Sequence, residues 1–218
     1  MKKKLVLFDC DGTLLDTEII LARVFLSTWA ERGVHMSLED YTRLFVGTGH
    51  DAPVVRETWE RMPPDTEALC HARCAEAFRT ELRAVRGIPE LLAKLGPEME
   101  TCVASNSSAP YLKNVLAMTK LDAFFGDRVY SAHVVGRAKP APDLFRHAAQ
   151  NLGYAPDRCL VVEDSPAGIR AARAAGMRVI AFVAGGHCRP SVVERLRGEG
   201  PDGLVEDAEQ LARLIEAF

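Results

Sequence analysis

The sequence predicts an α/β fold, with a parallel-sheet core and a small four-helix cap domain inserted after the first strand. Short apolar segments alternate with helical patterns along most of the chain, and one long stretch has helical periodicity without a credible strand. Strands that alternate with helices form right-handed βαβ units, which build a parallel sheet covered on both faces. The core is therefore expected to be Rossmann-like.

Four segments have the composition of buried strands. Each is short, apolar and bounded by polar residues or glycine, as expected for strands inside a parallel sheet. They are residues 4–9 (KLVLFD), 100–105, 158–163 and 177–182. Helical patterns at 107–118, 142–151 and 165–175 separate the later strands.

The stretch from about residue 17 to residue 83 has apolar residues at spacings of three and four, which is typical of amphipathic helices. Breaks at Gly33, Gly47–Gly49 and Met62–Pro64 divide it into four short helices. The predicted domains are a core of residues 1–16 and 86–218 and a helical cap of residues 17–85. A cap carried on two connectors can close over the edge of the sheet.

Composition excludes several classes of protein. The chain has 218 residues, 48% of them hydrophobic, which is enough for a sizeable core. A net charge of −3 argues against nucleic acid as a partner. The first apolar segment is too short for an export signal, and no segment is long enough to cross a membrane. We therefore expect a cytoplasmic protein, a monomer or weak homo-oligomer.

Polar residues follow the predicted strands at the edge where an open parallel sheet binds its ligands. In chain order they are Asp9, Asp11, Ser105, Asn106, Glu163 and Asp164. Lys139 lies in the loop GRAKPAP as the chain returns to the sheet. Several carboxylates close together repel one another, and a bound divalent cation would offset this repulsion. Because the ligands are all oxygens, the sequence favours Mg²⁺ beside a substrate phosphate.

Within that site the first two acids, Asp9 and Asp11, are expected to have different roles. A carboxylate at the strand end can attack phosphorus and form an aspartyl-phosphate, and Asp9 is the predicted nucleophile. Asp11, two residues later, is placed to protonate the leaving alkoxide and then to deprotonate water. The hydroxyl of Ser105 and the ammonium of Lys139 are expected to hold the phosphoryl oxygens.

Four segments in order, FDCDGTLLDTE, VASNSS, VGRAKPAPDLF and VVEDSPAGIRAARAAGM, resemble the motifs of the haloacid dehalogenase superfamily. The likeness is to its phosphatases that carry a helical cap after the first strand. The resemblance implies Mg²⁺-dependent phosphoryl transfer through Asp9. It also implies metal binding by Asp9, the Asp11 carbonyl and Asp164, with Glu163 bound directly or through water.

Differences between this chain and other members of that superfamily reduce the number of candidate functions. The dehalogenases lack the second acid of the first motif, which is present here as Asp11. Similar sugar phosphomutases carry a His in the first cap helix and a basic residue after the cap's glycine loop, where this chain has Leu21 and His50. The sequence resembles bacterial phosphatases of sugar phosphates, including those of 6-phosphogluconate. We therefore expect a phosphomonoester hydrolase acting on a sugar phosphate or sugar-acid phosphate.

Two alternatives stay open: a β-phosphoglucomutase-like phosphomutase, and a non-catalytic protein that binds a phosphorylated metabolite. Gly47, His50 and Arg137 are further candidate substrate contacts, although each also suits an ordinary loop or solvent position. Asn106 fits either substrate binding or an Asx-turn. Asp16 is expected to cap the first cap helix.

Overall fold

A computed structural model describes residues 4–48, 52–95 and 99–218 of the chain. Its core is a six-stranded sheet in which every strand pairs in parallel with its neighbours, in the order β3-β2-β1-β4-β5-β6. The strands are β1 Lys4–Phe8, β2 Met99–Ser105, β3 Val129–Ser131, β4 Cys159–Glu163, β5 Arg178–Phe182 and β6 Gly203–Val205. The predicted Rossmann-like α/β core is confirmed.

Strand β1 lies in the middle of the sheet, between β2 and β4, and is buried on both faces. Val6 and Phe8 pack into the hydrophobic cluster on one face, and Leu5 and Leu7 pack into the cluster on the other. Side chains alternate across a strand, so a strand covered on both sides must be apolar throughout. This explains the unbroken run LVLF and places the following Asp9 at the central strand's carboxyl end.

The described part of the chain contains twelve α-helices. Four lie between β1 and the helix that precedes β2: α1 Thr17–Glu31, α2 Leu38–Phe45, α3 Pro53–Glu60 and α4 Thr66–Glu81. The other eight are α5 Ile88–Lys94, α6 Ala109–Met118, α7 Asp122–Phe125, α8 Ala132–Val135, α9 Asp143–Leu152, α10 Pro166–Ala175, α11 Pro190–Gly198 and α12 Ala208–Ala217. The predicted insertion of four helices after β1 is confirmed.

The helical insert, α1–α4, has a small core of its own. Trp29 of α1 is fully buried, and Tyr41 of α2 and Cys70 of α4 pack in the same cluster. The rings of Trp29 and Trp59 lie edge to face with centroids 5.5 Å apart. Large rings bury much apolar area per residue, so a unit of four helices can be stabilised by few side chains.

The two segments that join the insert to the sheet run side by side. The Asp16 amide donates to the Arg83 carbonyl at 3.1 Å, and the Val85 amide donates to the Leu14 carbonyl at 2.9 Å. A contact on the other side of the insert joins α11 to α2, where the Arg195 guanidinium donates to the Arg43 carbonyl at 2.7 Å. These bonds hold the insert over the carboxyl end of the sheet.

In the described residues, no helix combines the length and the apolar character that a membrane span requires.

Candidate active site

Three neighbouring strands bring the predicted site residues together. Asp9 follows β1, Ser105 ends β2, and Glu163 ends β4 with Asp164 next to it. Because β1 lies between β2 and β4, the carboxyl ends of these strands are adjacent. All four side chains are buried or nearly so and line one cavity.

Lys139 is the central cation of the site. Its ammonium donates to Asp9 Oδ1 at 2.5 Å, to Glu163 Oε1 at 2.6 Å and to the Ala104 carbonyl at 2.7 Å. Burial lowers the pKa of Lys139, but the adjacent Asp9 and Glu163 carboxylates outweigh it and the net shift is upward. The ammonium therefore stays charged and fixes the position of both acids.

Glu163 is held from both sides of its carboxyl group. While Oε1 accepts from Lys139, Oε2 accepts from the amides of Asp164 and Ser165 at 3.1 Å each and from the Ser165 hydroxyl at 2.8 Å. The space for this carboxylate depends on Gly168 in α10, where a Cβ would lie 1.8 Å from Glu163 Cδ. The sequence EDSPAG thus shapes a carboxylate pocket at the start of a helix.

Asp11 has a different set of partners. The Ser107 hydroxyl donates to its Oδ2 and the Tyr111 hydroxyl donates to its Oδ1, both at 2.7 Å. Burial raises the pKa of Asp11, although the two hydroxyl donors lower it in part. A carboxyl group with a raised pKa can give up a proton in one step and take one back in the next.

Asp164 is oriented by two side chains that lie far from it in sequence. The Thr13 hydroxyl donates to Oδ1 at 2.7 Å, and His187 Nε2 lies 2.9 Å from Oδ2. Gly12, at φ +81°, makes this possible because a Cβ there would stand 2.0 Å from Asp164 Oδ2. The glycine of the first motif therefore admits both a tight turn and the approach of a carboxylate.

A divalent cation fits the chemistry of this donor set. One oxygen from each of Asp9, Glu163 and Asp164 lies within 4.8 Å of the other two. Burial, opposed by Lys139, raises the pKa of Asp9, and the neighbouring acids Glu163 and Asp164 raise it further. The buried negative charge thus exceeds what Lys139 alone offsets, and carboxylate oxygens are the ligands that Mg²⁺ prefers.

The predicted substrate contacts divide into three groups. Gly47 lines the cavity, and so does Asn106. The Asn106 side chain is engaged with the Lys139 backbone, whose amide donates to its Oδ1 at 2.8 Å. Arg137 is exposed, pairs with Asp143 at 3.3 Å and is absent from the described cavity lining. His50 lies outside the described residues.

The predicted capping role of Asp16 is wrong. Asp16 directly precedes α1, as predicted, but its side chain makes no capping hydrogen bond to that helix. Its Oδ1 instead accepts from the Gly186 amide at 2.9 Å, in the loop after β5. The Asp16 carboxylate thus binds a backbone amide 170 positions further along the chain, and this bond joins the beginning of the insert to the core.

Four site residues were not identified from the sequence: Thr13, Ser107, Tyr111 and His187. Thr13 and Ser107 lie within two of the motifs that resemble the superfamily, so the sequence marks their positions. It does not show that their hydroxyl groups bind Asp164 and Asp11. Tyr111 reaches Asp11 from the first turns of α6, and His187 reaches Asp164 from the loop after β5. The position of His187 after a strand end was a usable signal.

The cavity extends from the carboxylates to the helical insert and measures about 640 Å³. Its inner end is formed by Asp9, Asp11, Ser105 and Lys139, and its outer wall comes from α1–α4. No described residue donates a hydrogen bond to Asp9 Oδ2, whereas Oδ1 is held by Lys139. A polar inner end with an outer wall that is mostly aromatic and aliphatic suits a small ester whose charged group enters first.

Comparisons with known proteins identify what the chain is similar to. A family model described as haloacid dehalogenase-like hydrolase matches residues 3–176. The 6-phosphogluconate phosphatase of Escherichia coli strain K12 is 31% identical over 191 residues, 86% of each chain.

Two solved structures have nearly the same fold. One is a conserved haloacid dehalogenase-like protein of unknown function from Agrobacterium tumefaciens, 34% identical with a TM-score of 0.90 over 99% of this chain and 98% of that one. The other, from Deinococcus radiodurans, is a haloacid dehalogenase family hydrolase with bound phosphate and sodium. It is 34% identical, with a TM-score of 0.86 over 99% and 96% of the two chains.

Proposed function

The chain belongs to the haloacid dehalogenase-like hydrolases, and from that premise we propose that it is a Mg²⁺-dependent phosphatase of small phosphorylated metabolites. One observation carries the proposal. Asp9, with one oxygen held by Lys139, stands at the inner end of the cavity beside Asp11, Ser105 and Asp164. This set provides a nucleophile, an acid-base group and groups that contact a phosphoryl anion.

In the first half of the proposed reaction Asp9 Oδ2 attacks phosphorus and the bond from phosphorus to the ester oxygen breaks. The departing alkoxide takes a proton from Asp11, whose pKa is raised by burial. The Lys139 ammonium and the Ser105 hydroxyl line the cavity and are the groups proposed to contact the phosphoryl oxygens, Lys139 by exchanging one of its present acceptors for a phosphoryl oxygen. The products of this half are a free alcohol and an aspartyl-phosphate at Asp9.

In the second half Asp11, now a carboxylate, removes a proton from a water molecule that attacks the same phosphorus. The bond between phosphorus and Asp9 breaks, inorganic phosphate leaves and Asp9 is regenerated. The hydroxyl groups of Ser107 and Tyr111 keep the Asp11 carboxyl group in one orientation through both steps. One acid-base group can serve both steps because the second is the reverse of the first in its proton transfer.

Asp9 and Asp164 are the carboxylates proposed to bind Mg²⁺ directly, together with the Asp11 carbonyl, as the resemblance implies. Bound there, Mg²⁺ supplies positive charge that offsets the buried acids and the substrate phosphate. Glu163 already accepts from Lys139 and from three donors on Asp164 and Ser165. We therefore propose that Glu163 contacts the metal through water and mainly positions Lys139.

The substrate proposed from family resemblance is a phosphorylated sugar or sugar acid, since the Escherichia coli relative is named for 6-phosphogluconate. Leu21 stands in the cavity wall where similar phosphomutases have a His, and an apolar side chain cannot move a proton. This favours hydrolysis over transfer within the sugar. Residues 17–85 remain the proposed cap domain. The cytoplasmic location and the monomeric or weakly associated state remain predictions from the sequence.

Removing divalent metal is expected to abolish phosphate release. We predict that the protein hydrolyses a generic aryl phosphate in Mg²⁺, that excess EDTA lowers the rate at least about 100-fold, and that added Mg²⁺ restores it. The readout is inorganic phosphate, measured at saturating ester.

The control for the EDTA experiment is the melting temperature in the same buffers. A cation that binds only the folded chain stabilises it, so Mg²⁺ should raise the melting temperature. Unchanged phosphate release in EDTA would exclude the metal-dependent mechanism, and no release from any of a panel of phosphate esters would exclude a phosphatase.

A further inference from the structure

His187, in the loop that follows β5, is a fully buried histidine whose ring reaches Asp164. Its Nε2 lies 2.9 Å from Asp164 Oδ2, and Cys188 Sγ lies farther from the same nitrogen, at 3.3 Å. A carboxylate that binds a metal is ionised and can only accept, so Nε2 carries the hydrogen and donates it to Oδ2. A neutral imidazole and a protonated one can both make this bond.

The imidazole of His187 is only partly satisfied in its buried position. Its other nitrogen, Nδ1, is buried and has no hydrogen-bond partner among the described residues. A buried polar atom without a partner costs free energy, and native structures contain few of them. The contact with Asp164 is the one bond to an oxygen that the ring makes within the described chain. We therefore explain the position of His187 by its effect on that carboxylate and not by stability.

Two glycines leave room for the ring. A Cβ at Gly12 would lie 2.8 Å from His187 Cε1, and a Cβ at Gly185 would lie 2.7 Å from the same atom. The loop that carries the ring is tied to the beginning of the insert, because the Gly186 amide donates to Asp16 Oδ1 at 2.9 Å. A closely packed ring on an anchored loop keeps Nε2 in one place.

Asp164 is held at both of its oxygens. Thr13, which is also fully buried, donates its hydroxyl to Oδ1 at 2.7 Å, while His187 donates to Oδ2. The two donors come from the loops after β1 and β5, so a turn of the carboxyl group about its Cβ–Cγ bond would break both hydrogen bonds. Donors of this kind orient a metal-binding side chain, and their removal typically lowers metal affinity by about 10–100-fold.

Mg²⁺ and Ca²⁺ make different demands on such a carboxylate. Mg²⁺ requires nearly ideal octahedral geometry, whereas Ca²⁺ accepts a variable number of oxygens and takes one oxygen or both from a carboxylate. A carboxylate that cannot turn suits the ion with the strict geometry and cannot adapt to the other. Holding Asp164 in one orientation should therefore favour Mg²⁺ relative to Ca²⁺.

We propose that His187 is a positioning residue of the metal site: by holding Asp164 in one orientation, it strengthens the binding of Mg²⁺ and shifts the selectivity of the site from Ca²⁺ towards Mg²⁺. This inference rests on the proposed Mg²⁺-dependent function and adds to it a residue that governs the choice of ion. His187 acts through Asp164, because the Nε2 atom that faces the site carries the hydrogen that Asp164 accepts.

The affinities of the protein for the two ions, measured without ester, provide the test. After removal of metal with EDTA, melting temperatures over a range of Mg²⁺ or Ca²⁺ concentrations give a dissociation constant for each ion. His187→Leu should weaken Mg²⁺ binding at least about 10-fold and Ca²⁺ binding by no more than about twofold. The ratio of the Ca²⁺ constant to the Mg²⁺ constant should thus fall at least about fivefold.

Three further variants separate the hydrogen bond from packing. His187→Gln retains an N–H donor and should restore most of the lost selectivity. Thr13→Val removes the donor from the other oxygen of Asp164 with little change of shape, so it should lower the ratio even if His187→Leu does not fold. His133→Leu makes the same change at an exposed position on α8 and should leave both constants as they are.

Hydrolysis of an aryl phosphate gives a second measurement. In His187→Leu, the Mg²⁺ concentration that gives the half-maximal rate should rise at least about 10-fold, while kcat at saturating Mg²⁺ should fall less. This split distinguishes a residue that positions a metal ligand from one that contacts the reacting atoms.

Several results would overturn the inference while leaving the phosphatase intact. They are unchanged constants in His187→Leu, equal weakening of both ions as a packing defect would produce, and a His187→Gln protein that behaves like His187→Leu. Failure of the unmodified protein to release phosphate in Mg²⁺, with no effect of Mg²⁺ on its melting temperature, would instead count against the proposed function itself.

Discussion

Replacing Asp9 with Asn is expected to lower kcat for phosphate release by at least about 10³-fold, because an amide cannot form the phosphoryl bond that a carboxylate forms. Asn has nearly the same shape, and Lys139 retains its contacts with Glu163 and the Ala104 carbonyl. The chain should therefore fold. Rates are measured with an aryl phosphate in saturating Mg²⁺, and folding by the melting temperature and circular dichroism.

Asp16→Asn is the matched control, because Asp16 is an acid of the same sequence motif that binds the Gly186 amide instead of facing the reacting atoms. We expect it to lower kcat by less than about 10-fold. If the two variants lose kcat to a similar extent, the loss in Asp9→Asn does not identify Asp9 as the nucleophile. An Asp9→Asn protein with near-normal kcat would exclude Asp9 as the nucleophile.

Replacing Lys139 with Met is expected to have the largest effect on stability. The Lys139 side chain is 3% exposed and contacts two carboxylates, so the variant leaves Asp9 and Glu163 buried without their cation. Breaking a buried ion pair by removal of one partner costs about 3–5 kcal/mol. In EDTA the melting temperature should fall by roughly 6–20 °C for a chain of this size.

Arg137→Met provides the control for that experiment, because Arg137 is two residues away and its side chain is 68% exposed in its pair with Asp143. Exposed ion pairs contribute about 0–1 kcal/mol, so its unfolding free energy should hardly change. If denaturant unfolding in EDTA shows less than about 1 kcal/mol of loss for Lys139→Met, the buried ammonium does not hold the site together.

The sequence predicted the long elements of the fold and missed the short ones. Strands β1 and β4 were predicted to within one residue, since an apolar run bounded by polar residues is a strong local signal. Strands β3 and β6 have three residues each, too few for any periodicity to be seen. Their pairing with β2 and β5 at the edges of the sheet makes them strands.

The candidate site was predictable where a residue follows a strand and unpredictable where tertiary contacts bring a residue in. Strand ends placed Asp9 and Asp164 together, because parallel strands end at one edge. Whether Asn106 contacts substrate or the Lys139 backbone depends on the path of a loop, which no spacing in the sequence determines. The same is true of the hydrogen bond from Tyr111 to Asp11.

The most direct test of the account is to trap the phosphoryl group on the chain. An aryl phosphate has a good leaving group, so Asp11→Asn should complete the first half of the reaction but lack the base for the second. After acid quench, mass spectrometry should find one phosphoryl group on the peptide that contains Asp9, and hydroxylamine should remove it as expected for an acyl phosphate. A phosphoryl group on a different residue, or none while a burst of aryl alcohol is released, would contradict the assignment of Asp9 as the nucleophile.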